Sequence, residues 1–100
     1  MNKEMINVVQ SLANEKGIAP ETIFNGMEKA LSSVLSRNFP GEVDIRTSID
    51  RTSGKFSTNR FWTVVADHDF ENPDSEISFT EASKSYENIN VGDEIEEEIE

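Results

Sequence analysis

The single histidine of the chain, His68, stands between Asp67 and Asp69, and these three side chains are the first candidates for a metal or acid–base site. Imidazole and carboxylate groups are common metal ligands and proton carriers. Neighbouring residues at the end of a strand point to opposite faces, so the three groups do not converge easily. The chain has no cysteine and no second histidine to complete a transition-metal set. We therefore interpret His68 as an ordinary surface residue and expect no metal.

Carboxylates are dense near the end of the chain: Glu94, Glu96, Glu97, Glu98 and Glu100. This run lacks the spaced ligands and the central glycine of a calcium loop, so it indicates a solvated face. Nucleophilic catalysis needs a Ser, Cys or Thr beside a base, and the one histidine lies in a predicted loop. The glycines are scattered singly, which is not the pattern of a phosphate-binding loop. We predict that the chain is not an enzyme and has neither a cofactor nor a small-molecule substrate.

Basic and aromatic side chains come together around a predicted hairpin: Arg51, Lys55, Arg60, Phe61 and Trp62. Such a mixture is typical of nucleic-acid faces, and a small nucleic-acid-binding module is therefore one hypothesis. The competing interpretation pairs the arginines with Asp44 and Asp50 across the strands and buries Trp62 in the core. We favour the second interpretation, and it predicts that Trp62 is structural.

Charge and length restrict the class of protein. With 20 acidic and 9 basic residues the formal net charge is −11, which repels nucleic acid at long range and favours a basic partner surface. An acidic mimic that competes for basic surfaces is a third hypothesis. No apolar run approaches the ~20 residues of a membrane span, and no signal peptide is expected. We predict one domain over residues 1–100, without a membrane partner and with a cytoplasmic location.

Two amphipathic helices must open the chain. Apolar residues recur at helical spacing from Asn2 to Lys16, where Asn2 is a plausible N-cap and Gly17 supplies a stop. A second apolar stripe begins at Pro20, a residue favoured in the first turn of a helix, and its helical signals end by Asn38. The connection between them is short, which predicts a helical hairpin.

Strand signals then follow. Val43 to Ile49 alternates as a half-buried strand, residues 51–54 form a turn, and residues 55–58 are predicted as a short return strand. Residues 60–66 are apolar on both faces, which predicts a central strand. Ser78 and Glu81 fit a capping box for a short helix to about Tyr86, and Glu94 to Glu100 predicts a last strand. The predicted fold class is α+β: the helical hairpin packs on a small antiparallel β-sheet, with a short third helix.

The apolar arcs of the two long helices are wider than one packing contact requires, although one helix contact and one sheet contact together could cover both arcs. The arc of the first helix runs from Val8 to Ile6, and the arc of the second ends at Leu35. Core packing is the default interpretation of such residues, and Ile6, Val8 and Leu35 are the candidate partner-binding residues.

Short motifs through the whole chain resemble the N-terminal domain of the NusA family of bacterial transcription factors. The first half carries Met1-Asn2-Lys3-Glu4, Val8-Val9, Asn14-Glu15-Lys16, Ile23-Phe24 and Ala30-Leu31. The second half carries Val43-Asp44-Ile45-Arg46, Ile49-Asp50-Arg51, Ser53-Gly54, Arg60, Trp62, Val64-Val65, Gly92-Asp93, Glu96-Glu97 and Ile99-Glu100. Each motif alone is weak, but their order along the chain is specific.

The resemblance implies a factor in elongation, pausing, termination and antitermination in the cytoplasm. It implies docking on RNA polymerase near the RNA exit channel, at the flap-tip helix of the β subunit, with the α C-terminal domain of the polymerase as a second candidate contact. In the family an S1 domain and two KH domains follow and carry most RNA binding; they are absent from these 100 residues. The family often has several lysines after the second helix, whereas here Arg37 is the one basic residue. The family also commonly has a basic pair before its central tryptophan, where this chain has Arg60-Phe61. The resemblance therefore makes Arg37 and Arg60 the candidate RNA-facing residues.

Overall fold

The computed structural model describes residues 3–99, which form an α+β fold of three helices and four strands. The helices are α1 (Lys3–Lys16), α2 (Pro20–Ser36) and α3 (Phe79–Ser83). The strands are β1 (Asp44–Ile49), β2 (Phe56–Val65), β3 (Glu76–Ser78) and β4 (Glu94–Ile99), and a 3-10 turn covers Asp67–Asp69. The predicted fold class is confirmed, while the proposed N-cap at Asn2 lies outside the described residues.

β2 is the central strand of the sheet. It pairs antiparallel with β1 over residues 56–61 and antiparallel with β4 over residues 58–63. Because these two stretches overlap, β1 and β4 must lie on opposite edges of β2. The predicted return strand (55–58) and central strand (60–66) are thus one continuous strand, in which the polar Asn59 and Arg60 interrupt the apolar pattern but not the pairing.

One pairing departs from the antiparallel sheet that the sequence predicts. β3 runs parallel to β2, with Val64 opposite Ile77. The residues between β2 and β3 allow this, since they include the 3-10 turn and a tight turn in which the N–H groups of Ser75 and Glu76 donate to the Asn72 carbonyl. β3 follows β1 along the same edge of β2, so the sheet is mixed.

The predicted helical hairpin is confirmed. Gly17 has φ +68°, and the Ile18 N–H donates to the Ala13 carbonyl over 3.0 Å, which closes the end of α1. Pro20 begins α2 at its first turn, as predicted. The core between the helices and β1 contains Ile6, Val9, Phe24 and Ile49, with Met5, Ile23, Met27 and Leu31 packed against it.

Side chains of α2 bond directly to the free edge of β1. The Thr47 N–H donates to Ser32 Oγ and the Ile49 N–H donates to Glu28 Oε2, each over 2.8 Å. An unpaired strand edge normally exposes these donors, so α2 replaces a further strand on this side of the sheet. The orientation of the helical hairpin relative to the sheet therefore depends on two polar residues of α2.

The molecule is elongated, with a radius of gyration of 17.0 Å and extents of 51 × 28 × 25 Å. A compact chain of this length has a radius of about 13 Å. The helical hairpin forms one end, and α3 with β3 forms the other, where Val64 and Ala82 are fully buried. The predicted cap of α3 is confirmed, since Ser78 Oγ accepts from the Glu81 N–H, but α3 ends at Ser83 rather than near Tyr86. No helix among residues 3–99 is long and apolar enough to cross a membrane.

Candidate protein-binding surfaces

The outer side of α1 exposes apolar side chains. The helix buries Ile6, Val9 and Ala13, which fall on one stripe, and leaves Val8 64% and Leu12 41% exposed on an adjoining stripe. Val8 and Leu12 are four residues apart, so they are neighbours on the helix surface. With Asn7, Ser11 and Glu15 they line a shallow depression of about 330 Å³.

α2 contributes a further exposed residue, Val34, at 55% exposure. Val34 lies seven residues, or two turns, after Met27 and so falls on the same stripe of α2. Met27 packs against the core, whereas Val34 lies past the part of the stripe that the core covers. Leu35 is half-buried and lines a different depression, on the sheet side of α2, with Phe39, Thr58 and Ile99. We call Val8 and Leu12, with the depression that they line, the helical docking surface.

The three candidate partner-binding residues predicted from the sequence thus have different environments in the fold. Ile6 is only 7% exposed and belongs to the core, so it has no surface to offer a partner. Val8 is exposed, and Leu35 faces the sheet. The exposure of Leu12 and Val34 did not follow from the sequence, because a helical arc shows which residues are apolar but not where the neighbouring element ends.

The arginines of the predicted hairpin are held by other groups. The Arg51 guanidinium donates hydrogen bonds of 3.0 and 2.7 Å to the two carboxylate oxygens of Glu21, and it also donates to Glu28 on α2. It stacks on the face of the Phe24 ring. Hydrogen bonds from Arg51 lower the pKa of Glu21 and of Glu28. The expected pairing with Asp50 is wrong, because Asp50 instead accepts from the turn N–H groups of residues 52 and 53.

Arg60 is half-buried on the face of the sheet that carries the helices. Its guanidinium lies over the Trp62 ring at 4.7 Å and the Phe39 ring at 5.9 Å, and Nη2 donates to the Asp74 carbonyl over 2.9 Å. Arg60 is therefore placed to pack within the domain. Arg37, at the end of α2, is exposed. Of the two candidate RNA-facing residues, only Arg37 projects into solvent.

The opposite face of the sheet is polar. Arg46 of β1 donates across the sheet to Glu94 of β4 and lies over the Phe61 ring at 4.0 Å. It also donates to Asp44, two residues away on its own strand, so the expected cross-strand pairing of Asp44 with a hairpin arginine is wrong. The hydrogen bonds from Arg46 lower the pKa of Glu94. The alternating glutamates of β4 on this face thus form part of a solvated, paired surface.

Trp62 is only half-buried, so the prediction that it is a core residue is wrong. The two-sided apolar pattern of its strand suggested cover on both faces, but the helical hairpin covers mainly the β1 side. Trp62 lines an open depression with Ile77, Tyr86 and Ile95. Its ring is partly shielded by Arg60.

His68 is exposed in the 3-10 turn, with Nε2 3.6 Å from the Asp69 carboxylate. Asp67 faces the start of α3, where it accepts from the Thr80 N–H over 3.0 Å and from the Thr80 hydroxyl, and these bonds lower the pKa of Asp67. The two aspartates therefore point to different partners. Within residues 3–99 no three His, Asp or Glu side chains are grouped to hold a metal ion.

Comparison with known proteins gives a consistent match. The model of the NusA N-terminal domain family matches residues 4–100. The transcription termination/antitermination protein NusA of Rickettsia conorii is 31% identical over 96 residues, which cover 96% of this chain and 19% of that protein. The Rickettsia prowazekii protein of the same name is 29% identical with the same coverage.

A solved structure agrees with the sequence relatives. The solution structure of the N-terminal domain of NusA from B. subtilis superposes with a TM-score of 0.75 at 31% identity. The alignment covers 100% of this chain and 79% of that chain. The mixed sheet and the helical hairpin are therefore features of a known fold.

Proposed function

The chain belongs to the NusA N-terminal domain family, and from this premise we propose that it is the polymerase-docking module of a bacterial transcription factor. It binds RNA polymerase near the RNA exit channel, at the flap-tip helix of the β subunit, and modulates pausing. The α C-terminal domain of the polymerase is a second contact in this proposal. The role is one of binding rather than catalysis, and it is carried out in the cytoplasm.

The chain spans 19% of the length of the relatives that it matches, which are named as termination/antitermination proteins. Termination, antitermination and recognition of nascent RNA belong to the whole factor. We assign most RNA contacts to S1 and KH domains outside this chain. This domain supplies the attachment to polymerase that brings them to the transcript.

The exposure of Val8 and Leu12 carries the docking proposal. These are apolar residues on a helix whose core-facing stripe is already occupied by Ile6 and Val9. A helical partner can lay an apolar stripe against such a surface with its own backbone hydrogen bonds intact. The flap-tip helix suits this mode.

The rival nucleic-acid module has less support. Two of its three basic hairpin residues, Arg51 and Arg60, already bond within the domain. The net charge of −11 opposes binding to a polyanion at long range.

The test replaces single exposed residues of α1 with serine. Val8→Ser and Leu12→Ser should each weaken binding to polymerase by about 1–3 kcal/mol, because a few buried anchors dominate a helical interface. Val91→Ser is the matched control, since Val91 is 58% exposed and lies near β4, away from α1. Binding is measured by calorimetry with a flap-tip peptide and by pull-down of whole polymerase.

Circular dichroism checks that each variant is folded, and the exposure of these residues favours that outcome. Lys55→Ala tests whether the hairpin loop contributes to polymerase binding. Normal binding by both α1 variants, together with loss of binding in Lys55→Ala, would move the docking face to the hairpin and overturn the assignment.

A further inference from the structure

The sheet has a second apolar surface, away from α1. On the face that carries the helices, β2 contributes Thr58 and Trp62, which the strand register sets opposite Ile99 and Ile95 of β4. One depression of about 340 Å³ lies at Thr58 and Ile99, bounded by Leu35 and Phe39. Another, of about 380 Å³, lies at Trp62 and Ile95, bounded by Ile77 and Tyr86.

The two depressions lie in line along the strands. Thr58 and Trp62 are four residues apart in β2, which corresponds to about 13 Å. Between them the register places Arg60 opposite Glu97. We call this row of two depressions and the pair between them the β2–β4 trough.

The β2–β4 trough carries one arginine, Arg60, and two carboxylates, Glu97 and Glu76. The Arg60 guanidinium is already engaged by two rings and the Asp74 carbonyl. Glu97 is exposed and has no ion pair within residues 3–99. Glu76 borders the second depression, and hydrogen bonds from the Asn72 and Glu71 N–H groups lower the pKa of its carboxyl. Among the described residues, neither depression is lined by a basic side chain.

We propose that the β2–β4 trough binds an amphipathic helix of a partner protein, with two apolar residues two turns apart and Lys or Arg on the turn between them. Two helical turns span about 11 Å, close to the separation of the depressions. A sheet face offers no backbone partners, so an extended segment would leave its own N–H and C=O groups unpaired, whereas a helix satisfies them internally. The basic residue meets Glu97, and the apolar residues enter the depressions.

The only tryptophan of the chain lies in the trough, so its fluorescence reports occupancy directly. The probe is an acetylated, alanine-rich helical peptide of about 16 residues, long enough to hold a helix, with two leucines seven positions apart and two lysines between them. Titration of the 100-residue chain should shift Trp62 emission to shorter wavelength and saturate. A matched peptide with glutamates in place of the lysines should bind about tenfold more weakly.

Variants of the chain complete the test. Glu97→Gln should weaken binding of the lysine peptide about threefold, as expected for loss of an exposed ion pair. Tyr86→Ala should weaken it about fivefold or more by removing one wall of a depression. Val8→Ser, on the helical docking surface, should leave the titration unchanged, which separates this proposal from the polymerase-docking proposal.

Several outcomes would overturn the proposal. They are equal binding of both peptides, loss of binding in Val8→Ser but not in Glu97→Gln, and absence of a saturable shift with either peptide. A saturable shift with a single-stranded oligonucleotide but not with the lysine peptide would instead assign the trough to nucleic-acid bases stacking on the aromatic rings.

Discussion

Glu28 offers the sharpest test of how the helical hairpin is attached to the sheet. Its carboxylate accepts the Ile49 N–H over 2.8 Å and also binds the Arg51 guanidinium. Ile49 is almost fully buried, so Glu28→Ala leaves a backbone donor without its partner. We therefore expect Glu28→Ala to destabilise the domain more than any other single glutamate-to-alanine change on α1 or α2.

The magnitude follows from the bonds that are lost. A hydrogen bond to a charged group contributes about 1.5–3 kcal/mol. The half-exposed Arg51 contact adds at most about 1 kcal/mol after solvent screening, because Glu21 still holds that guanidinium. Alanine is the better helix former by a few tenths of a kcal/mol, which offsets part of the loss. The expected cost is about 2–3 kcal/mol, or roughly a 10–20 °C lower Tm for a domain of this size.

Thermal unfolding monitored by circular dichroism measures this loss of stability. The matched control is Glu15→Ala, an exposed helical glutamate on α1, which should change the unfolding free energy by less than about 0.5 kcal/mol. Glu28→Gln should fall between the two, because its amide oxygen still accepts the Ile49 N–H. Equal stability of Glu28→Ala and Glu15→Ala would refute the attachment of α2 to the β1 edge.

The same comparison has a defined pH dependence. The hydrogen bonds from Arg51 and Ile49 hold the pKa of Glu28 below its ordinary value. A carboxyl with a lowered folded-state pKa stabilises the fold above its unfolded pKa of about 4.3 and loses that contribution as the pH falls through the folded value. The difference in unfolding free energy between wild type and Glu28→Ala should therefore have its full value above about pH 5 and should decrease below about pH 4. A difference unchanged at low pH would exclude the charged interaction.

Three further outcomes are expected. Trp62→Ala should cost about 2 kcal/mol in urea unfolding, less than for a fully buried tryptophan, because its side chain is not completely buried; a cost above about 4 kcal/mol would place Trp62 in the core. Ser78→Ala should cost about 1 kcal/mol through loss of the α3 cap, whereas Ser83→Ala should not, and equal values would remove the cap. Binding of single-stranded RNA, followed by anisotropy, should be weaker than about 100 μM at physiological salt and should depend little on Arg37→Ala; tighter binding lost in that variant would contradict the assignment.

Local patterns in the sequence predict the elements of this fold well. The helical spacing from Lys3 to Lys16, the stop at Gly17 and the start at Pro20 are confirmed because they depend on residues within a few positions of one another. The alternation of β1 and the cap at Ser78 are confirmed for the same reason. The order of weak motifs along the chain also indicated the family, which the comparisons confirm.

Other features depend on how distant parts of the chain meet. Whether an apolar helix residue is core or surface depends on where the neighbouring element ends, and this separates the buried Ile6 from the exposed Val8. Arg51 could pair with any nearby carboxylate, and the placement of α2 on the β1 edge selects Glu21 and Glu28.

The sequence alone therefore determined the helices, the hairpin, the acidic character and the family, because helical spacing, strand alternation, turn residues and charge are local or additive properties. Only the tertiary structure decided the parallel β3 pairing, the half-buried Trp62 and the β2–β4 trough. These arise from contacts between residues far apart in the chain, such as Trp62 with Tyr86, where packing geometry and not residue type selects the partner.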